Sequence, residues 1–258
     1  MAGRSDAAIA PRAGAAGAAT SEQPLLRVEG LNVAYGDVQV LWDVDLNVLP
    51  GEVVALVGSN GAGKTTLLST ISGLLAPRSG RITFDGQPIA GQNTRRIHDL
   101  GIAHVPEGRR LFSALTVREN LLMGAFRRDD KAEVAADLAR TLDLFPRLKE
   151  RLRTLAGNLS GGEQQMCAIG RGLMSRPRLL MIDELSLGLA PVVIESLVGI
   201  IETVNRQGTT VLIVEQDVQT ALEQATRGYV LETGHVTLTG PARDLLADER
   251  VKRAYLGI

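Results

Sequence analysis

The sequence predicts an α/β fold, in which a parallel sheet is flanked by helices and an α-helical segment is inserted into it. Short β-branched runs such as VVALVG (53–58), LLMIDE (179–184) and VLIV (211–214) alternate with stretches of helical apolar periodicity. Strands that alternate with crossover helices form parallel sheets. Apolar residues make up 45% of the chain but aromatic residues only 3%, which is typical of aliphatic buried sheets.

An antiparallel β region is predicted before the parallel core. LLRVEGLNVAYG (25–36) and LWDVDLNV (41–48) alternate apolar and polar residues, as half-buried strands do. After the buried strand at 53–58, a helix is predicted from Lys64 to Leu75, where Pro77 and Gly80 stop it. RITFDGQPI (81–89) is predicted to be a strand followed by a turn.

The inserted segment runs from about 108 to 157, and its period near 3.6 residues and many charges predict helices only. Beyond it, helices are predicted in the sequences LSGGEQQMCAIGRGLM, VVIESLVGIIETVN and VQTALEQATR. Strands are predicted in LLMIDE and TTVLIVEQ, and YVLETGHVTLTG predicts a hairpin. Residues 25–258 are therefore expected to form one domain with a helical subdomain.

Composition narrows the possible functions. The net charge is −1, with 28 Lys plus Arg against 29 Asp plus Glu, which argues against nucleic acid as a partner. Residues 1–24 are rich in Ala, Gly and small polar residues and predict a disordered tail. The longest apolar runs have the length of strands, whereas a membrane helix needs about 20 apolar residues. We therefore expect that the chain does not span a membrane.

The stretch GSNGAGKTT (58–66) fits the pattern G-x-x-x-x-G-K-[ST] between a buried strand and a helix. Small residues let backbone N–H groups surround a phosphate, and the helix N-terminus favours the anion. Lys64 is expected to reach the β- and γ-phosphates, and the Thr65 hydroxyl to bind Mg²⁺. The predicted phosphate-binding residues are Gly58, Ser59, Asn60, Gly61, Ala62, Gly63, Lys64, Thr65 and Thr66.

The run LLMIDE places two acids at the end of a buried strand, where open α/β sheets bind ligands. Asp183 is predicted to hold Mg²⁺, and Glu184 to act as the general base for the attacking water. The simpler interpretation is a strand end with two solvated acids. The glycine loop upstream favours the nucleotide site.

A second glycine turn occurs in NLSGGEQQ (158–165). Ser160, Gly161, Gly162 and Glu163 are predicted to form another anion cradle at a helix N-terminus. One nucleotide cannot easily occupy two cradles of one subunit, so each cradle is expected to cap the γ-phosphate of ATP bound to a second subunit packed head to tail. The simpler interpretation is an ordinary serine N-cap.

GSNGAGKTT, LSGGEQQ and LLMIDE, in this order and around a helical insertion, resemble the ABC-type ATPases, the nucleotide-binding subunits of transporters. The resemblance covers residues 25 to 258. It implies a P-loop NTPase core, ATP and Mg²⁺ as cofactors, and adenine stacking on Tyr35.

The chain departs from the usual family pattern at four positions. Glu107 in HVPEGRRLF stands where glutamine is usual, and Gln216 in LIVEQD where histidine is usual. In LSLGLAP, Leu185 and Ala190 stand where many relatives have proline and aspartate. VPEGRRLF, SLGLAP, VEQ and AYLG are similar to one branch, the LivF-type ATPases of high-affinity branched-chain amino acid importers. In that branch Glu107 and Gln216 are normal; Glu107 is then implied as a metal or water ligand, and Gln216 as a catalytic donor to the γ-phosphate.

The resemblance implies the ATP-hydrolysing subunit of an importer at the inner face of the cell membrane. Its implied partners are two transmembrane permease subunits, a second ABC ATPase subunit and, indirectly, a periplasmic or extracellular solute-binding protein. A different ATPase subunit is favoured over a second copy of this chain. Two alternatives stay open: the ATPase of another transporter, for amides, urea or an exported compound, and a soluble ABC ATPase of DNA repair or translation.

Overall fold

The structure is a computed structural model that describes residues 23–256, so nearly all of the tail predicted at 1–24 lies outside the described residues. The described chain contains ten strands and ten α-helices. The strands are β1 Leu26–Tyr35, β2 Val38–Val48, β3 Val53–Val57, β4 Ser79–Phe84, β5 Gln87–Pro88, β6 Ile102–Val105, β7 Leu179–Asp183, β8 Thr210–Glu215, β9 Arg227–Glu232 and β10 His235–Pro241. The helices are α1 Lys64–Ile71, α2 Thr94–Asp99, α3 Val117–Gly124, α4 Lys131–Leu144, α5 Pro146–Glu150, α6 Gly161–Leu173, α7 Pro191–Arg206, α8 Val218–Gln224, α9 Ala242–Ala247 and α10 Glu249–Val251.

The main sheet has six strands in the order β10-β9-β3-β8-β7-β6. All its pairings are parallel except that of the terminal hairpin β9–β10. β3, β7 and β8 are buried along their whole length, which explains their unbroken apolar sequences. Because Val57 pairs with Glu215 and Asp183 with Val214, the carboxyl ends of these three strands meet at one edge.

The second sheet is antiparallel, with four strands in the order β2-β1-β4-β5. Its long strands bury alternate residues, as the sequence pattern predicts. Its buried face packs with α1 and one side of the main sheet in a single apolar cluster that includes Leu26, Phe84, Leu67 and Leu212. This packing fixes the antiparallel sheet against the helix that follows the glycine loop.

The segment between β6 and α6 folds as α3, α4 and α5, so the prediction of helices there is confirmed, whereas the subdomain limits 108–157 stay a prediction. Leu121, Leu142 and Phe145 of this layer pack with α6 and the other side of the main sheet. Asp137, a buried carboxylate, ties α4 to the rest of the fold. It accepts hydrogen bonds from Arg128 (2.6 Å), Arg176 (2.6 Å) and Arg140.

Some predicted boundaries were wrong. α1 ends at Ile71 rather than Leu75, because the backbone N–H of Leu74 turns back to the carbonyl of Ser69 (2.8 Å) and closes the helix. The short elements α2 and β6 were not predicted at all. β6 has only four residues, too few for a periodic signal, and parallel pairing with β7 defines it as a strand. Among the described residues, no helix is both long and apolar enough to cross a membrane.

Candidate nucleotide site

A cavity of about 420 Å³ opens at the edge where β3, β7 and β8 end. It brings together most of the residues predicted from three separate sequence motifs. Its lining consists of Val40, Ser59, Asn60, Gly61, Gly63, Lys64, Thr65, Thr66, Glu107, Glu184, Leu187 and Gln216.

The glycine loop 58–63 connects the buried strand β3 to α1, as predicted. The structure shows why two positions of this loop require glycine. A Cβ atom at Gly58 would lie 2.2 Å from the carbonyl oxygen of Leu231, so the backbone passes too close for a side chain. Gly63 has a φ of +107°, and a Cβ there would lie 2.6 Å from Cδ2 of Leu41. The loop shape therefore depends on glycine for packing and backbone geometry.

Lys64 is the first residue of α1 and is only 5% exposed. Its Nζ donates hydrogen bonds to the carbonyl of Gly58 (2.7 Å) and that of Ser59 (3.3 Å). Nζ also lies 3.4 Å from Oε1 of Glu184, which is largely buried. The loop thus holds a cationic group over its own backbone, in contact with the acid that follows β7.

Asp183, the last residue of β7, is 1% exposed, and neither carboxylate oxygen has a hydrogen-bond partner among the described residues. Burial raises the pKa of Asp183 to about 6, although the nearby Thr65 side chain opposes the rise. Glu184 and Glu107 raise this pKa further, and Lys64 lowers it. A buried carboxylate without a partner is costly, so these oxygens are suited to a cation.

The site fits Mg²⁺ by its donor chemistry. Mg²⁺ takes oxygen ligands, keeps several waters, and is usually bound by one or two carboxylates together with substrate phosphates. The Asp183 carboxylate, the Thr65 hydroxyl and the Glu107 carboxylate at the cavity wall supply that set. The described residues contain no group of three or more His, Cys, Asp or Glu side chains able to hold a metal ion on their own.

Glu184 follows Asp183 in the left-handed backbone region, with a φ of +54° that is rare for a residue other than glycine. Its backbone N–H donates to the carbonyl of Val214 on β8 (2.9 Å). Gln216, the residue after β8, is exposed and lines the same cavity. Both predicted catalytic side chains therefore face one space.

Several functional residues were not recognised in the sequence. Val40 and Leu187 form apolar parts of the cavity wall. Glu215 is fully buried beside Gln216, and burial raises the pKa of its carboxyl to about 7. Of these three residues, only Glu215 stands out in the sequence, because it is an acid directly after the apolar run VLIV.

Tyr35 does not line the cavity. It ends β1 with 53% of its surface exposed, so adenine stacking on it stays a prediction. Gly58 and Ala62 are buried beside the cavity, where they support the loop rather than form its wall.

The second glycine turn, 160–162, also lies outside the cavity. Ser160 and Glu163 form a reciprocal capping box at the start of α6: Glu163 Oε2 accepts from the Ser160 N–H (2.8 Å), and Ser160 Oγ accepts from the Glu163 N–H (3.3 Å). A Cβ at Gly162 would lie 2.7 Å from Cγ1 of Val193, and one at Gly161 would lie 3.3 Å from Nη2 of Arg109. Ser160 itself is exposed on the surface.

A larger cavity of about 470 Å³ lies elsewhere, between α4 and the end of α7. Three arginines line it, but each forms an ion pair with a carboxylate: Arg140 with Asp137, Arg176 with Glu133 and Asp137, and Arg178 with Asp85. This cavity therefore offers less for an anion than the glycine-loop site does.

A glycine loop between a buried parallel strand and a helix, with an acidic pair at the end of another buried strand of the same sheet, defines a P-loop nucleoside triphosphatase. Residues 41–186 match the ABC transporter family. The chain belongs to this family, and it is an ATP-binding and ATP-hydrolysing subunit, as predicted from the sequence.

The chain is 48% identical over 90% of its length, and 100% of the relative, to the high-affinity branched-chain amino acid transport ATP-binding protein BraG of Pseudomonas aeruginosa. It is 37% identical over 91% of its length, and 99% of the relative, to the probable branched-chain amino acid transport ATP-binding protein LivF of Archaeoglobus fulgidus. Among solved structures, an ATP-binding cassette of an ABC transporter in its ADP conformation matches with a TM-score of 0.81 and 26% identity, covering 92% of this chain and 100% of the other.

Proposed function

We propose that the chain is the ATP-binding and ATP-hydrolysing subunit of an ABC importer, and that it powers the uptake of branched-chain amino acids through separate membrane subunits. One observation carries this proposal: Lys64, Glu184 and Gln216, from three separate motifs, face one cavity in a chain that is 48% identical to BraG.

In the proposed reaction the ATP triphosphate lies in the glycine loop, and Lys64 turns from its own backbone to the β- and γ-phosphates. Glu184 orients the attacking water and takes its proton. Gln216 donates a neutral N–H to the γ-phosphate. Asp183 and Thr65, with Glu107 beside them, would hold Mg²⁺, which when bound would offset the charge of the phosphate oxygens.

The glycine turn 160–162 completes the site of a second ATPase subunit rather than its own. Two observations support this: none of the residues 160–163 lines the subunit's own cavity, and Ser160 is exposed at the surface. ATP then lies between two subunits, and a different ATPase subunit is favoured over a second copy. Closure of the pair moves the helical segments, which transmit the movement to two permease subunits at the inner face of the membrane.

The proposed cargo is a branched-chain amino acid, supplied by a solute-binding protein outside the membrane. The support is comparative. Identity is 48% and 37% to two relatives named for branched-chain amino acid transport, but 35% to a ribose import ATP-binding protein of Rubrobacter xylanophilus and 34% to the lipopolysaccharide export protein LptB of Escherichia coli K12. Among these relatives, similarity is greatest to an amino acid importer, which favours that cargo over a sugar or an exported lipid.

The test measures uptake of labelled leucine, isoleucine and valine by cells that lack the gene for this chain. Separate strains then carry the parent chain, the Glu184→Gln variant or the Glu223→Gln variant. Glu223 is an exposed acid on α8 that does not line the nucleotide cavity, and it serves as the matched control. We expect the parent and Glu223→Gln to restore uptake. Cells that carry Glu184→Gln should not regain uptake. The purified Glu184→Gln protein should bind ATP but hydrolyse it about 10²- to 10⁴-fold more slowly than the parent.

Two results would contradict the proposal at different levels. Restored uptake of ribose or an amide, without any of leucine, isoleucine or valine, would refute the cargo and leave the ATPase role intact. Hydrolysis by Glu184→Gln at the parent rate would refute the catalytic assignment.

A further inference from the structure

Glu215 is the last residue of β8 and is only 1% exposed. The five residues before it on the strand are also buried, and four of them are the apolar run VLIV. In residues 23–256 no Lys, Arg or His forms an ion pair with the Glu215 carboxylate. An acid in such a place costs free energy that a valine would not, so packing alone does not account for it.

The contacts of the Glu215 carboxyl lie on the chain segment that follows the predicted base. Its Oε1 accepts a hydrogen bond from the backbone N–H of Ser186 (2.7 Å), two residues after Glu184. The Ser186 hydroxyl and the backbone N–H of Gln216 also face this carboxyl. Its Oε2 is buried without a partner among the described residues.

Glu184 needs such support because its backbone is strained. A φ of +54° in a residue other than glycine costs about 1 kcal/mol or more, and it persists only where neighbouring contacts hold it. Three contacts flank it: its own N–H bonds to Val214, Leu185 is buried, and Ser186 bonds to Glu215. Of these contacts, only the hydrogen bond from Ser186 to Glu215 requires a polar side chain.

We propose that Glu215 is a positioning residue for ATP hydrolysis. Its Oε1 anchors Ser186 and so holds the strained Glu184 with its carboxylate in the nucleotide cavity that Gln216 also lines. One buried carboxyl thereby couples the two turns that carry the predicted catalytic side chains. The inference rests on the proposed function, since it concerns the residue that acts as the base.

The experiment compares Glu215→Ala, Glu215→Gln and Thr210→Val in the full-length chain, with its companion ATPase subunit where co-purification identifies one. Thr210 is the matched control: it is equally buried at the other end of the same strand, and its Oγ1 likewise accepts from a backbone N–H, that of Gly51 (2.9 Å). The measurements are kcat for ATP hydrolysis, the Kd for ATP, and the thermal midpoint of unfolding.

We expect Glu215→Ala to lower kcat by up to about 100-fold, the cost of misplacing a catalytic group by 1 Å, while the Kd for ATP changes less than about threefold. Glu215→Gln keeps an oxygen acceptor for Ser186 and should retain a kcat within about threefold of the parent. Thr210→Val should lower the thermal midpoint but not kcat. This pattern separates positioning from stability, because a purely structural role would affect kcat in both buried variants or in neither.

Two outcomes would overturn the inference while the proposed function stands, because Glu184→Gln would still be inactive: a kcat for Glu215→Ala equal to the parent's, or equal losses in Glu215→Ala and Glu215→Gln. If Glu215→Ala is too unstable to purify, the inference is judged on Glu215→Gln and Glu215→Leu, which both fill the space but differ in the acceptor. Equal kcat values in those two would reject it. Normal hydrolysis by Glu184→Gln would instead reject the proposed function itself.

Discussion

The glycine turn at 58–63 leads into α1, of eight residues, and the turn at 160–162 leads into α6, of thirteen. The first is half enclosed: Gly58, Ala62 and Gly63 are buried whereas residues 59–61 are exposed, and α1 begins without a side-chain cap. The second is self-sufficient, because Ser160 and Glu163 satisfy each other's backbone N–H groups in a capping box.

This difference indicates different roles. The N-terminus of α1 has a buried cation, Lys64, turned back on the loop, and a buried carboxylate, Asp183, that has no hydrogen-bond partner among residues 23–256. These polar groups are therefore incompletely satisfied in the described part of the chain and suit a charged ligand and a cation. The N-terminus of α6 is already capped by the Glu163 side chain, and Ser160 is exposed at the surface. This contrast supports the proposal that the first turn binds ATP within its own subunit, whereas the second completes the site of a partner subunit.

The largest expected effect is on the first turn. Lys64→Ala removes the cation that would reach the phosphates, so we expect ATP affinity to fall about 10- to 100-fold or more, the worth of one or two charge-assisted hydrogen bonds, and hydrolysis to be lost. Isothermal titration with ATP and a phosphate-release assay measure both. The control is Lys149→Ala, which breaks only an exposed ion pair with Asp143. Unchanged affinity in Lys64→Ala would refute the role of the glycine loop.

The second prediction tests whether the two turns belong to different sites. Ser160→Arg places a bulky cation on the exposed turn, so we expect hydrolysis to fall by roughly 10²- to 10³-fold while ATP binding to the same subunit stays nearly intact. Thr116→Arg is the control, because Thr116 and Glu119 form the same capping box on α3, away from the nucleotide motifs. It should destabilise the chain without removing hydrolysis.

Mixing the two inactive variants sharpens this test where the chain pairs with itself. A dimer of one Lys64→Ala and one Ser160→Arg subunit has one intact composite site if each turn serves the opposite subunit, so activity should return on mixing. A fall in ATP affinity as large as the fall in hydrolysis, with no recovery on mixing, would show that the turn serves its own subunit.

The sequence predicted the local parts of the site and missed the parts that depend on tertiary packing. Lys64, Thr65, Glu184 and Gln216 are brought to one cavity because glycine spacing and strand ends are local signals. Val40 joins them only because β2 lies against the loop, which no local pattern records. Tyr35, placed by resemblance, lies at an exposed strand end outside the cavity wall.

The burial of Glu215 was equally hidden in the sequence. An acid at the end of an apolar run reads as the solvated end of a strand, and only the register of β8 between β3 and β7 encloses it. The four-residue strand β6 was missed for a related reason, since its identity comes from pairing with β7 rather than from its own period. Pairing and enclosure are properties of the assembled sheet.

The smallest expected effect concerns the self-capped turn. Glu163→Ala removes the acceptor for the Ser160 N–H, and we expect it to lower the free energy of unfolding by about 0.5–1 kcal/mol, as for a surface cap.

The hydrogen bond from the Ser160 backbone N–H lowers the pKa of Glu163 below its usual value. The stabilisation is therefore present above the unfolded-state pKa and is lost as the pH falls through the folded-state pKa, because protonation weakens the acceptor. Urea unfolding at pH 7 and pH 3 should show a larger difference between parent and variant at pH 7 than at pH 3, and Glu119→Ala should behave with the same sign on α3. A difference that is equal at both pH values would mean that the Glu163 carboxylate does not stabilise the turn by its charge, and that the second turn is not self-capped in the way that sets it apart from the first.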